Sequence, residues 1–297
     1  MKKNILLAAT LAAIALTSCN NESEQANLVG KPEYITVSTH IGAMSRVVTN
    51  GNTSTFEDGD KISVYAWTGN GDEVNTAKLV VNNAVNTLKG AKWEAVPMMK
   101  WTDMMTPHYF LSIYPNRAIT DFKADAVKVD PAKQEESDLL VATNFGDTKK
   151  GLIATNNPIS LKFDHMMSKL VVKLEYRNEF SGTPTVTSAT TEAKNVGSID
   201  YIKGLITPSG TAAAFTLPVI IANKEFASVI LPQSIQTVTV VIDGKNYVYT
   251  HPTSLTLGKG KIQTIKLIVG RNRIELDQVT INDWGTAEEI TGGEAID

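Results

Sequence analysis

Apolar and polar residues alternate with a period of two over much of the chain, and no segment carries a long apolar stripe at the helical period. Ile62, Val64 and Ala66 alternate with Lys61, Ser63 and Tyr65, which predicts a half-buried strand. Tyr34, Ile35, Val37 and Ile41 sit among Thr36, Ser38 and Thr39, a β-branched run suited to another. Shorter runs predict strands at 78–81, 91–95, 108–114, 127–129, 139–143, 198–202, 215–221, 226–231 and 261–269. The longest regular run is 159–176, where Leu170, Val172 and Leu174 form one face against Lys169, Val171, Lys173 and Glu175. After it, 181–195 is polar and rich in threonine, without a clear pattern. A hairpin is predicted over 237–250, turning at Asp243-Gly244, a pair that tolerates the positive φ of a type I′ turn. In 273–284 the apolar parity changes from Ile274 and Leu276 to Val279 and Ile281, so a bulge belongs near Asp277-Gln278. Short strands between turn residues predict an all-β chain of sandwiches with little helix. Its 297 residues exceed one comfortable core, and the turn at Thr155-Asn156-Asn157-Pro158 predicts a division into domains 33–157 and 158–297.

The N-terminus follows different rules. Lys2 and Lys3 precede an apolar run at 5–16, closed by Leu16-Thr17-Ser18-Cys19. A membrane span needs about 20 apolar residues, so this shorter run reads as a secretory signal, residues 1–18. The placement of Cys19 resembles the lipobox of bacterial lipoproteins, which implies cleavage between Ser18 and Cys19 and a lipid on the Cys19 sulfur. Residues 19–32 are polar and read as a tether to the outer membrane. Cys19 is the single cysteine, so no internal disulfide is available and the fold rests on its core.

Candidate chemistry is sparse. The formal charge of −3 provides no basic patch, which argues against a nucleic-acid partner. His40, His108, His165 and His251 are scattered without metal-ligand spacing, so neither a metal nor another cofactor is expected. No nucleophile elbow, phosphate loop or dinucleotide fingerprint is present. Asp58 and Asp60 flank Gly59 but lack the remaining ligands of a calcium loop, so the trio reads as a turn. Met98, Met99, Met104 and Met105 surround Trp101 and are expected to pack on it. Trp67, Trp93 and Trp101 are expected in the core; an alternative is a sugar-stacking platform on a glycan-binding surface lipoprotein.

Several stretches in order resemble the fimbrillin family, subunits of type V fimbriae. They are the lipobox at Cys19, Ser45-Arg46, the run Phe56-Glu57-Asp58-Gly59-Asp60-Lys61-Ile62-Ser63-Val64, Lys100-Trp101, the Tyr114-Pro115 pair, Asp138-Leu139-Leu140-Val141-Ala142, the stretch Phe163-Asp164-His165-Met166-Met167-Ser168-Lys169-Leu170, Leu231-Pro232 and Ile281-Asn282-Asp283-Trp284. The resemblance implies two tandem transthyretin-like β-sandwiches and a structural, non-catalytic role at the cell surface. It further implies a trypsin-like maturation protease that cuts between Arg46 and Val47. Loss of the first strand, 33–41, then leaves a groove for a strand of another fimbrial subunit. Residues 285–297, with Glu288, Glu289, Gly292 and Gly293, make a poor apolar donor strand.

Overall fold

In a computed structural model the structure describes residues 33–42, 55–145 and 150–284. The chain is all-β, built as β-sandwiches. The first sheet has seven strands: β1 (Val37–Ile41), β2 (Lys61–Thr68), β3 (Val81–Lys89), β4 (Lys92–Val96), β5 (His108–Tyr114), β7 (Leu140–Thr143) and β8 (Ile159–His165). Their spatial order is β1-β8-β7-β5-β2-β3-β4. The sheet rolls over until its ends approach each other. At the seam, Ile35 N donates to Met99 O at 3.0 Å and Trp101 N to Glu33 O at 3.1 Å. Inside the roll lie Ile35, Val37, Ile62, Val64, Ala66, Met99, Trp101, Phe110, Leu140, Ile159, Leu161 and Phe163.

The outer face of the same sheet is also covered. Tyr65, Trp67, Leu111, Ile113 and Val141 join a second core that runs on into the rest of the molecule. Thus β2 is buried on both faces, a correction to the half-buried expectation. The cover includes Phe122, edge-on to Tyr65 at 5.3 Å, and a small sheet of β6 (Asp125–Lys128), β11 (Val196–Asp200) and β12 (Leu205–Ser209). A second sandwich completes the molecule. One sheet holds β14 (Val219–Ile221), β15 (Glu225–Ile230), β9 (Ser168–Tyr176), β18 (Lys261–Val269) and β19 (Ile274–Asp283), in that order. Against it lie β13 (Ala213–Thr216), β10 (Val186–Ala193), β16 (Ser234–Ile242) and β17 (Lys245–Thr256). The one α-helix among the described residues is a single turn, α1 (Gln134–Ser137).

Several details follow the sequence closely. The β16–β17 hairpin turns with φ of 48° at Asp243 and 77° at Gly244, as its Asp-Gly pair requires. The register of β18 against β19 slips between Lys266 and Leu267, leaving Asp277 as the extra residue of the expected bulge. Others differ. The strand expected at 78–81 is a 3₁₀ turn, Thr76–Lys78, followed by β3 with a bulge at Asn83, whose φ is 52°. The patternless stretch contains β10, where Ala189, Thr191 and Ala193 face inward and the Thr191 hydroxyl donates to Thr237 O at 2.7 Å. The run 159–176 is two strands in two sheets. β8 follows Asn157-Pro158 and pairs with β1 and β7, so the change of sheet falls at Met166-Met167.

A buried carboxylate ties the small sheet to the first one. Asp125, 2% exposed, accepts from Arg117 Nη2 at 2.7 Å, Thr120 Oγ1 at 2.7 Å, Thr120 N at 3.1 Å and the Tyr201 hydroxyl at 3.0 Å. Burial pushes this carboxyl up, but the Thr120 bonds, the Arg117 charge and Tyr201 outweigh it and hold it below the usual carboxylate range. A depressed folded-state value stabilises the fold above the unfolded value of about 3.9, and that stability is lost as pH falls through the folded value. Asp125→Asn is expected to cost about 2–3 kcal/mol at pH 7, a gap that narrows in solutions well below pH 4. Urea unfolding of both proteins across that range measures it.

Candidate functional site

Residues 33–42 close the rolled sheet from its edge. β1 runs parallel to β8, Val37 beside Ile159 through Ile41 beside Phe163. Ile159 N donates to Thr36 O at 2.9 Å and Gly42 N to Phe163 O at 2.8 Å. Alternation sends Ile35, Val37, Thr39 and Ile41 inward; Ile35 and Val37 are 3% and 8% exposed. Beside β1 lies a groove of about 470 Å³, lined by Val37, Thr39, Ile41, Phe56, Leu88 and Trp93 among others. Across it Trp93 Nε1 donates to Thr39 Oγ1 at 3.0 Å. Phe56 supports Trp93 edge-on at 5.2 Å and also meets Tyr114 and Phe163.

At the start of the strand Asn157 acts as a clamp. Its Oδ1 accepts from Thr36 N at 2.8 Å and its Nδ2 donates to Thr36 Oγ1 at 3.0 Å. On the outer side, Lys100 Nζ meets Glu33 Oε1 at 3.0 Å and lies 4.8 Å from the Tyr34 ring centre. That pair is solvent-exposed and contributes little to holding the segment. The first strand is therefore held by one parallel ladder, a short antiparallel contact, a side-chain clamp and its buried row.

The residues singled out in the sequence fall elsewhere. Ser18, Cys19, Arg46 and Val47 lie outside the described residues. The four histidines do not converge, and no group of three metal-capable His, Cys, Asp or Glu residues occurs among the described residues. His108 Nδ1 donates to Thr106 O at 2.7 Å while Nε2 accepts from Thr102 N at 3.2 Å, a fully used neutral ring. Burial pushes its pKa down, against the bond to Thr106 and the Asp103 charge. His165 bonds Asp138 through Nδ1 at 2.9 Å and stacks on Trp284 at 4.3 Å. Asp58 and Asp60 cap turns, accepting from Gly90 N at 2.6 Å and Glu57 N at 2.7 Å.

The methionine expectation needs correction, whereas the core placement expected of the tryptophans is largely met. Met99 is buried beside Trp101, but Met98, Met104 and Met105 are exposed, so one methionine of the four packs as expected. Trp67 and Trp101 are buried, and Trp93 is partly buried against the inner core, so these rings form no sugar-stacking face. The glycan-binding alternative loses its platform. Sequence reading missed the Thr39–Trp93 pair and the Asn157 clamp. The available signals were a hydroxyl residue interrupting an apolar row and an asparagine that looked like turn chemistry.

A family model, fimbrillin-like, matches residues 45–284. The chain belongs to the fimbrillin-like family. Solved structures with the same fold include a candidate cell adhesion protein of Bacteroides ovatus ATCC 8483, at 15% identity and a TM-score of 0.65, covering 85% of this chain and 98% of that one. Another candidate cell adhesion protein, from Bacteroides uniformis ATCC 8492, has 16% identity and a TM-score of 0.59, over 77% of this chain and 93% of that one. A fimbrial protein of Bacteroides vulgatus ATCC 8482 has 13% identity and a TM-score of 0.51, over 84% and 99%. None of the curated proteins matches the chain in sequence.

In this chain the first strand thus lies against β8, beside an open groove and with its own polar clamp. Asn157→Ala is expected to destabilise the protein by about 1–2 kcal/mol and to speed amide exchange in 33–42 while leaving β9 protected. Hydrogen-exchange mass spectrometry reads both segments in one run.

Proposed function

We propose that this fimbrillin-like chain is a structural subunit of a cell-surface fimbria that supports adhesion and has no catalytic role of its own. It is exported as a lipoprotein precursor, cut between Ser18 and Cys19 and carried to the outer membrane by the lipid on Cys19. A trypsin-like protease then cuts between Arg46 and Val47, and residues 33–42 leave with the tether. A strand from another subunit takes the vacated place. Membership of the family supports the subunit role and the surface location. The working units are two sandwiches, 33–157 and 158–297, with β8 at the start of the second range pairing into the first sheet.

The observation that carries this reading is the seat of β1. It is an edge strand of five residues whose inward row seals an apolar interior. An unpaired sheet edge beside uncovered apolar surface is costly in water and templates pairing with another chain. Main-chain bonds to β8 supply affinity for any strand in that position, and the pockets under alternate side chains supply register. The other six strands of that sheet, in the order β8-β7-β5-β2-β3-β4, are laddered to one another independently of β1.

Limited trypsin on the purified precursor is expected to cut first after Arg46 and to release a peptide containing 33–42. Mass spectrometry of the protein from assembled surface material is expected to find Val47 at the N-terminus. Assembled material that retains Glu33 through Ile41 in every copy overturns strand replacement.

A further inference from the structure

We propose that the seat of β1 selects its incoming strand by polar contacts at two positions, and that this strand comes from a different subunit rather than from residues 274–297 of a second copy of this chain. The inference rests on strand replacement as the joining step and names the chemistry of the strand that is accepted. In the numbering of the strand it replaces, that strand carries apolar residues at 35, 37 and 41, and hydroxyl residues at 36 and 39. Positions 38 and 40 are unrestricted, and the strand enters parallel to β8.

The apolar demands follow from burial. Ile35 and Val37 fill the closed end of the interior, and Ile41 lines the groove's other end. Position 39 is different. There Trp93 Nε1 points at the strand and donates to the Thr39 hydroxyl at 3.0 Å. The indole is held in place by Phe56, itself packed on Tyr114 and Phe163, so the ring cannot turn its N–H to water without disturbing three other rings. Valine has nearly the shape of threonine but accepts no hydrogen bond, and would leave the indole N–H unmatched inside the groove. An unmade bond at a partly buried donor discriminates more strongly than a missing methyl group does.

Asn157 reads the other position. Its Oδ1 takes the backbone N–H at 36, which every residue but proline supplies, while its Nδ2 requires an acceptor such as the Thr36 hydroxyl. Proline is excluded at 35 as well, since Ile35 N donates to Met99 O. By contrast Ser38 and His40 are exposed at the open side of the groove, and the Ser38 hydroxyl makes only a long bond of 3.4 Å to Ile159 O, so neither position demands a particular side chain.

The same code argues against a second copy acting through its last strand. Along 274–297 no residue order places two apolar residues, a hydroxyl and an apolar residue at successive alternate positions. The row Ile274-Leu276 is followed by Gln278, and the row Val279-Ile281 by Asp283, where the hydroxyl is required. β19 is also committed, paired along its length with β18 and anchored by Trp284, 1% exposed, against His165.

The test uses full-length protein nicked by trypsin and labelled synthetic peptides, read by fluorescence anisotropy. The peptide of residues 33–42 and its Thr39→Ser variant are expected to bind alike. Its Thr39→Val variant is expected to bind about tenfold more weakly, and Trp93→Phe in the protein is expected to abolish that difference. A peptide of residues 274–283 is expected not to bind. If no peptide binds, strand replacement itself fails. If the Thr39→Val peptide matches the parent on unaltered protein, the polar selection is overturned while strand replacement stands. Capture of the 274–283 peptide as tightly as 33–42 overturns the assignment to a different subunit. Thermal unfolding of uncut Thr39→Val, Trp93→Phe and the double variant measures the same pair without exchange; additive effects would overturn the coupling.

Discussion

A rolled β-sheet whose ends do not pair along their whole length has to be sealed by side chains, and here the seal is the inward row of residues 33–42. Ile35, Val37 and Ile41 cover an interior built from β2, β5, β7 and β8, yet the strand that bears them sits at an edge with one regular ladder. The interior is therefore closed by a segment whose backbone attachment is among the lightest in the molecule. Its apolar contribution is large: each fully buried aliphatic side chain is worth about 1.5–3 kcal/mol. On the proposed function, that combination, strong side-chain seating on few main-chain bonds, is what makes one strand exchangeable for another of matching pattern. A central strand such as β2, paired on both sides and buried on both faces, has no such freedom.

The rest of the molecule is organised so that this light closure does not spread. The outer face of the first sheet belongs to a core continuous with the second sandwich, through Tyr65, Trp67, Leu111 and Ile113 on one side and Leu170, Phe226 and Ile265 on the other. Polar contacts pin the same junction. Asp125 joins Arg117, Thr120 and Tyr201; Gln134 joins α1 to β15 by accepting from Val229 N at 2.6 Å and donating to the Ser228 hydroxyl at 2.9 Å. His165 joins Asp138 and Trp284 where β8 gives way to β9. Loss of β1 uncovers the inside of the roll and leaves these contacts untouched, because none of them involves a residue before 61.

Much of this was legible from local pattern. The hairpin at Asp243-Gly244, the bulge at Asp277 and the strands β5, β7, β9, β15 and β18 follow from period and turn chemistry, which act over a few residues. β10 was hidden because its inward row is Ala189, Thr191 and Ala193, small or hydroxylated residues that carry little hydropathy contrast. β2 was read as half-buried because Ser63, Tyr65 and Lys61 look like a wet face, whereas Ser63 is buried under its neighbours, accepting from Arg117 N at 2.9 Å. The site was the least legible part. Thr39 and Trp93 are 54 residues apart, and Thr36 and Asn157 are 121 apart. Only the roll of the sheet brings them together, and no spacing rule reports it.

On the proposed reading, the covalent order of the chain turns these pieces into one device. The lipid on Cys19, the tether 19–32 and the sealing strand lie on the same side of Arg46. A single cut there removes the membrane attachment and frees the groove in the same event, so a subunit cannot leave the membrane with its acceptor site still closed by a covalently attached strand. The reverse also holds: an uncut subunit keeps both its lipid and its own strand, and a groove filled from within has no vacancy for a neighbour. Tight seating of β1 then has a use beyond stability. A strand held only by its ladder would slip out before the cut and expose the edge too early, whereas Asn157, Trp93 and the buried row keep it in place until the peptide bond after Arg46 is broken. Selectivity and timing come from the same contacts, because whatever holds the first strand in register also rejects the wrong successor.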